Sequence, residues 1–376
     1  MKALIVWRIL AHEKGRSGLA IGGILIAILL MFLQLGFYTA VPRGGLLFYD
    51  AMRFDLLLTS SAYVYQAQSS TFPRRRLFQA LALPEVLSAN ALYQDRGRWL
   101  NTEAGLAREI FVMGFKPRDA IFDPPEIGRQ LEVIKRPDTI LTDVASRPEF
   151  GALNPGRQIE IEQRNVMIGG TYSLGIGFIG LGVVMTSDLN FIRMFPKRSL
   201  SEVNLGLLTL RPDASPDSVA TRLREILPAD TQVFTRAELA NYESNYWTTV
   251  TSAGLVFGFG VGVAFIVGLV ILNQTLFTQI TRQLPQFATL KAMGYTDGYL
   301  GSLVLTLAIV MSTISYVPAA ALSTIIYWML SRATPLPVEM TAARLLAVLA
   351  VAWGMSALSA LAAVRTLRRA DPVELF

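Results

Sequence analysis

Four uncharged runs, each long enough to cross a bilayer as a helix, constrain this chain more than any other feature. They cover residues 17–42, 244–281, 298–331 and 345–364, and a membrane-spanning helix needs about 20 apolar residues. Composition agrees: 52% of the 376 residues are hydrophobic and 16% are charged, against about 25% charged in soluble domains. Mean hydropathy is +0.42, and an ordinary cytosolic enzyme is excluded.

The stretch between the first two runs is of another kind. Residues 43–243 hold 23 Lys and Arg against 23 Asp and Glu, with short apolar runs punctuated by Pro, Gly and Asp. They read as one folded domain outside the membrane. Signal-peptide apolar regions are about 7–15 residues long and end at a small-x-small site. The run at 17–42 is longer and Tyr38-Thr39-Ala40 is a poor site, so it is read as a retained anchor.

Residues 165–187 are also uncharged but carry Gly169, Gly170, Gly175, Gly177, Gly180 and Gly182. Each Gly weakens a helix by about 1 kcal/mol relative to Ala, so a Gly-rich β-hairpin is expected there instead of a fifth span. Orientation follows from the positive-inside rule. Lys2, Arg8, Lys14, Arg16, Arg282, Lys291, Arg365, Arg368 and Arg369 fall on one side of a four-span layout, and Arg332 and Arg344 on the other. Both termini are therefore expected in the cytoplasm, the large domain outside, and the protein multi-pass in the inner (plasma) membrane. Tyr242, Tyr246 and Trp247 are expected to form an outer aromatic belt for the second span.

The expected layout is thus a cytoplasmic amphipathic leader (1–16), spans at 17–42, 244–281, 298–331 and 345–364, and an outer domain at 43–243. An inner loop (282–297), a short outer loop (332–344) and a cytoplasmic tail (365–376) complete it. The fold class is an α-helical membrane protein with four transmembrane helices and a large α+β extracytoplasmic domain between helices 1 and 2.

Within the outer domain, residues 203–210 read as a strand, Ser215-Pro216-Asp217 as a capped helix start, and Val219, Leu223, Ile226 and Leu227 as its apolar positions. Residues 231–234 return as a strand, which makes a β-α-β unit. A similar grouping opens the domain: a strand at 55–58, a helix from Pro73 with Leu77, Phe78 and Leu81 on one side, then extended chain at 86–93. A β-rich insert at about 95–200 separates the two. Arg74-Arg75-Arg76 reads as a solvated surface.

The usual catalytic patterns are missing. No Gly-Lys pair exists for a phosphate-binding loop, Cys is absent, and the single His is His12, in the leader. It is read as an interfacial or surface residue, and no catalytic or metal-binding residue is assigned. The basic excess lies at membrane flanks, so no nucleic acid is expected. The four runs contain no Asp, Glu, Lys, Arg or His, where ion-coupled transporters place ionisable groups. Their strongest polar residues, Gln34, Asn273 and Gln274, are read as interhelical hydrogen bonders. In the second run Gly254, Gly258 and Gly262, with Gly260, Ala264 and Gly268, form a small-residue ladder suited to close helix packing or a homodimer.

The inner loop carries the candidate working element. Pro285 suits the first position of a short helix and Gly294 the left-handed position past its end, with Thr296 or Asp297 capping the next helix. Arg282, Gln286 and Thr289 project to one side, with Leu284, Phe287 and Ala288 opposite.

The wording Phe287-Ala288-Thr289-Leu290-Lys291-Ala292-Met293-Gly294-Tyr295 and the tail Arg368-Arg369-Ala370-Asp371-Pro372-Val373-Glu374 resemble the MacB/FtsX-like permeases of ABC transporters, most of all the DevC type. The resemblance implies a non-catalytic permease that pairs as a homodimer with a separate cytoplasmic ABC ATPase holding ATP and Mg. It also implies a periplasmic adaptor (membrane fusion protein), a TolC-like outer-membrane channel and export of membrane lipid or other hydrophobic cargo. Arg282, Gln286, Phe287, Leu290, Lys291 and Gly294 would then be ATPase-coupling residues. Gln286 stands where the family usually has Glu, which leaves a hydrogen bond and no charged contact at that position. An FtsX-like relay to a cell-wall hydrolase and a lipoprotein-releasing permease share the topology.

Overall fold

The computed structural model describes residues 14–101, 105–282, 289, 291, 293–333 and 337–369. The chain divides into two units, Met1–Val41 with Thr251–Phe376 and Pro42–Val250.

Helix α1 (Lys14–Asp50) continues through Pro42, where the first apolar run ends. Proline's fixed φ is itself helical and only one donor is lost. There follow β1 (Leu56–Ser60), β2 (Phe72–Pro73), α2 (Arg75–Ala80), β3 (Val86–Asn101) and β4 (Leu106–Phe115). Next come β5 (Thr139–Asp143), β6 (Gln158–Ile161), β7 (Arg164–Tyr172), β8 (Val183–Ser187) and α3 (Asp188–Met194). The unit closes with β9 (Glu202–Val203), β10 (Leu205–Leu210), α4 (Pro216–Ile226), β11 (Thr231–Thr235) and α5 (Arg236–Asn245). Nine strands form one sheet in the order β11-β1-β10-β3-β4-β8-β5-β7-β6, and β2 pairs with β9 apart from it.

The β-α-β reading of β10-α4-β11 holds, with a strand the local pattern does not reveal. β1 lies between β10 and β11 and is antiparallel to both, with Leu57 opposite Leu207 on one side and Phe234 on the other. The first grouping, β1-α2-β3, interleaves with it, because β10 separates β1 from β3. The order β11-β1-β10-β3 is the split β-α-β arrangement. In α4, Val219, Ala220 and Leu223 are buried, as is Leu227 just beyond it, whereas Ile226 is exposed. Ser215 precedes Pro216 as expected but makes no side-chain cap.

At α2 the expectations need correcting. The helix starts at Arg75, because Pro73 is taken by β2, and it ends at Ala80. With fewer than two turns it buries Leu77, while Phe78 and Leu81 stay exposed. Arg76 is not solvated: it is buried and pairs with Asp230 at 2.7 Å. The Gly-rich run does form strands, β7 and β8, but they are not a hairpin. β5 lies between them, parallel to β7 and antiparallel to β8, and Gly175 and Gly177 (φ +97 and +50) turn the chain between.

Strand β3 runs through both parts of the sheet, and its far end also pairs with β6, Trp99 opposite Ile161. The pairings β3-β4-β8-β5-β7-β6 thereby close into a ring of six strands. Trp99, Ile110, Val112, Phe150, Ile161, Val184 and Phe191 belong to the hydrophobic core of this unit, which fits the way small closed sheets fill their interior with side chains. Gly114 of β4 lies against Phe191, whose Cγ would be 2.7 Å from an added Cβ. Gly114→Ala is expected to destabilise the unit by about 2 kcal/mol, read as a lower denaturant midpoint with Trp99 as fluorescent reporter.

The second unit contains α6 (Ser252–Arg282), α7 (Asp297–Ala333) and α8 (Ala342–Arg369). With α1 they supply four helices long and apolar enough to cross a membrane, with mean hydropathies of 1.9–2.8. The first residues of the second uncharged run complete α5 and one π-type turn, Tyr246–Val250, before α6 begins. Ile28, Phe32, Leu272, Leu276, Leu303, Leu307, Val348 and Met355 pack inward. Outward stand apolar residues such as Phe259, 75% exposed, an arrangement that suits a lipid solvent.

The polar expectations for this unit change. Asn273 and Gln274 are exposed on α6, and Gln34, beside Gly260, has no hydrogen-bond partner for Oε1 among the described residues. Cross-helix bonds come instead from Ser315 Oγ to the Ile21 carbonyl (2.9 Å), Tyr316 OH to the Leu345 carbonyl (2.8 Å) and Tyr327 OH to the Phe32 carbonyl. Arg344 lies inside the first turn of α8 and is 5% exposed. It donates to Thr39 Oγ1 and the Glu339 carbonyl and lies over the Tyr327 ring. The fourth apolar helix thus holds a charge that the uncharged run stops just short of, because Thr341 caps the helix ahead of it.

Candidate functional site

Of the ATPase-coupling residues named from the sequence, Gln286, Phe287 and Leu290 lie outside the described residues. Arg282 is the exposed last residue of α6, and Lys291 and Gly294 are exposed beyond it. Gly294 adopts the left-handed conformation (φ +91) that glycine accepts without Cβ strain, and its N–H donates to the Lys291 carbonyl at 3.0 Å. Thr296 caps α7, its Oγ1 accepting from the Tyr299 N–H at 3.3 Å. Tyr295 and Tyr299 rings lie 4.8 Å apart. The structure therefore presents an exposed turn between α6 and α7 that carries Lys291, Met293 and Tyr295.

The glycine ladder on α6 divides among neighbours. Gly254 is buried, an added Cβ at Gly258 would stand 3.4 Å from Tyr38 of α1, and Gly262 faces open space. Gly258 therefore serves a helix contact within the chain in the sense the spacing implies, as do Gly260 against Gln34 of α1 and Gly268 against Met355 of α8, whereas Gly262 is open on the outside of α6.

One buried cluster went unread in the sequence. Helix α5 starts from a full capping box, Thr235 Oγ1 accepting from the Glu238 N–H and Glu238 Oε2 from the Thr235 N–H. That phase directs Glu243 inward, where it is 0% exposed. Its Oε1 accepts from the Tyr63 hydroxyl and, at 3.1 Å, from the Gln66 N–H, and its Oε2 accepts from the Trp247 indole N–H at 3.1 Å. Tyr63 bonds in turn to the Tyr49 hydroxyl near the end of α1. Burial pushes the Glu243 carboxyl up to about 7, against the lowering effect of its three donors. Burial likewise holds the Tyr63 hydroxyl well above its usual range, so it stays a donor.

Rings complete the cluster. Tyr65 stacks on Tyr246 at 4.9 Å, Phe178 lies 5.0 Å from Trp247, and Gly45 leaves the space that the Trp247 indole fills. Of the three residues expected to form an aromatic belt, Tyr242 packs on Tyr63, Tyr246 on Tyr65 and Trp247 on Phe178. The π-type turn that follows, a rare form concentrated at functional positions, leads from this cluster into α6. The arrangement ties residues 42–50 to residues 243–250, the two segments by which this unit continues into the rest of the chain. A Glu with a Trp four residues later, at the mouth of an apolar run, was the available sequence signal.

Among the described residues no cluster of His, Asp and Glu suits a metal. Residues 246–372, about a third of the chain, match the FtsX-like permease C-terminal family. No curated protein sequence matches the chain significantly. Among solved structures, the periplasmic region of MacB from Actinobacillus actinomycetemcomitans is similar at 9% identity, covering 52% of this chain and 95% of that one with a TM-score of 0.39. The extracellular domain of the ABC-type transporter YknZ from Gram-positive bacteria is similar at 12% identity, covering 48% of this chain and 99% of that one with a TM-score of 0.33.

Proposed function

We propose that the chain is the permease subunit of an ATP-driven ABC exporter, spanning the inner membrane four times with both termini in the cytoplasm. The match of residues 246–372 to the FtsX-like permease C-terminal family supports this reading most directly. The four apolar helices, with a large folded unit between the first and second, agree with it.

In this reading the free energy comes from ATP and Mg on a separate ATPase, and the permease acts as a homodimer. The segment 285–293 is the coupling helix. Arg282, Gln286, Phe287, Leu290, Lys291 and Gly294 meet the ATPase, and motion passes along the helices to the outer unit. That unit works with a periplasmic adaptor and a TolC-like channel to move lipid-like cargo, as in the DevC type. In the same reading Gly262, open on α6, meets the second permease copy.

The test is co-purification with ABC ATPase subunits of the same cell, together with ATP-dependent export from cells. Leu290→Asp is expected to cut ATPase recovery at least about tenfold, a loss of about 1.4 kcal/mol, and to abolish export while the chain still accumulates in the membrane. Undiminished ATPase recovery and export in that variant would overturn the proposal.

A further inference from the structure

The outer unit contains a groove that the proposed mechanical role does not use. Helix α2, strand β3 and the turn after β4 enclose a cavity of about 320 Å³, at the lower end of the roughly 300–1,000 Å³ typical of small-molecule sites. Ala89 and Ala91 of β3 line it. One wall is apolar: Leu77, Phe78 and Leu81, with Phe78 62% and Leu81 39% exposed. The other wall is charged, with Lys116, Arg118 and Asp119 after β4 and Asp188 at the start of α3. Arg74 adds a third cation, its guanidinium 5.9 Å from the centre of the Phe78 ring.

The charges do not cancel. Arg118 pairs with Asp119 at 3.6 Å, and burial holds the Asp119 carboxyl above its usual range against the pull of Lys116 and Arg118. Asp188 uses Oδ1 to accept from the Leu189 N–H at 2.9 Å. Among the described residues neither Arg74 nor Lys116 forms an ion pair, and the three cations of the lining outnumber its two carboxylates by one. A neutral apolar guest would leave that excess positive charge unmatched, and a small inorganic anion would leave Phe78 and Leu81 in water. One guest satisfies both: a negative head on an alkyl chain, single because the cavity is small.

We propose that this groove binds a single-chain alkyl carboxylate, its head between Arg74 and Lys116 and its chain along Phe78, Leu81, Ala89 and Ala91. The site stands whether or not an ATPase drives the chain, and its test needs no ATPase. The purified full-length chain in lipid nanodiscs is labelled with a photoreactive diazirine dodecanoate, and the modified peptides are mapped by mass spectrometry. Label is expected within residues 74–91 and 116–119, competed by unlabelled dodecanoate and not by dodecanol.

The double variant Arg74→Glu, Lys116→Glu is expected to reduce labelling of these peptides at least about tenfold. Ala89→Phe, which fills the groove without touching charge, is expected to do the same, with the denaturant midpoint of the outer unit confirming that each variant folds. Labelling confined to α1 and α6–α8, equal competition by dodecanol, or full labelling in both folded variants would each overturn the proposal.

Discussion

Glu243 is expected to make the unit of residues 42–250 less stable as the pH rises from about 4.5 to about 7. Those values are the carboxyl's ordinary pKa and its pKa inside the fold. The folded chain holds the proton more tightly than the unfolded chain, so the stabilisation is complete below about 4.5 and is lost as the pH climbs through about 7. At about 1.4 kcal/mol per unit the swing is about 3 kcal/mol. Other carboxylates titrate in the same unit, and Asp138, held low by Arg164, has the opposite sign. The measurement is therefore a difference. Denaturant midpoints of the wild-type chain and Glu243→Gln are compared from pH 4.5 to 8 in mild detergent.

The amide does not titrate, so the stability of Glu243→Gln relative to wild type should rise by about 3 kcal/mol across that range. Its absolute level should be lowered by a constant offset, because an amide N–H₂ now meets the Trp247 indole N–H. Tyr63→Phe removes a donor that favours the carboxylate, and should move the Glu243 transition to still higher pH. Parallel curves for wild type and Glu243→Gln would show that the carboxyl is not held in this way.

Asn190→Ala should cost the same unit about 3–5 kcal/mol. Asn190 of α3 is 2% exposed, and its Nδ2 stands 2.8 Å from the Arg136 carbonyl, 3.0 Å from Ile134 and 3.2 Å from Thr139. Its Oδ1 accepts from the Asp138 N–H at 3.0 Å. This one side chain holds the turn that feeds β5, where Asp138 itself has φ +53. The Thr139 carbonyl keeps the Thr186 hydroxyl at 2.7 Å, but the Ile134 and Arg136 carbonyls and the Asp138 N–H would lose the partner Asn190 supplies. Each orphaned buried group costs about 1–3 kcal/mol.

Asn190→Asp should be at least as damaging, since it points a buried carboxylate at backbone carbonyls. Denaturant titration followed at Trp99, which is fully buried in the same unit, reads both. A loss below about 1 kcal/mol in Asn190→Ala would mean that the turn is held by its neighbours.

Much of this protein was legible from local pattern. The long apolar runs needed only length and the absence of charge; three appear within an apolar helix, and the second enters one only at Ser252. The amphipathic spacing in α4 and the extended runs of β10 and β11 are likewise properties of a few consecutive residues. The correct rejection of residues 165–187 as a helix rested on glycine's backbone entropy, which acts wherever the chain folds.

Other features depended on residues far apart in the chain. Nothing near β1 says that β10 and β11 will flank it, and nothing in the Gly-rich run says that β5 will separate β7 from β8. Arg76 looked like one of three solvated arginines because its partner, Asp230, lies 154 residues away. Glu243 looked like the last charge before a span because Tyr63 and Gln66 reach it from the other end of the domain.

By itself the sequence determined the number and bounds of the apolar segments, the periodicity of the strands and helices, and the absence of familiar catalytic patterns. These follow from solvent transfer and backbone preference, which are set residue by residue. Only the tertiary structure decided strand order, the closing of the six-strand ring, which polar side chains are buried, and the pairing of charges in the α2 groove. Those depend on which distant segments share space, and burial turns an ordinary carboxyl or arginine into a perturbed or unpaired one only after that choice has been made.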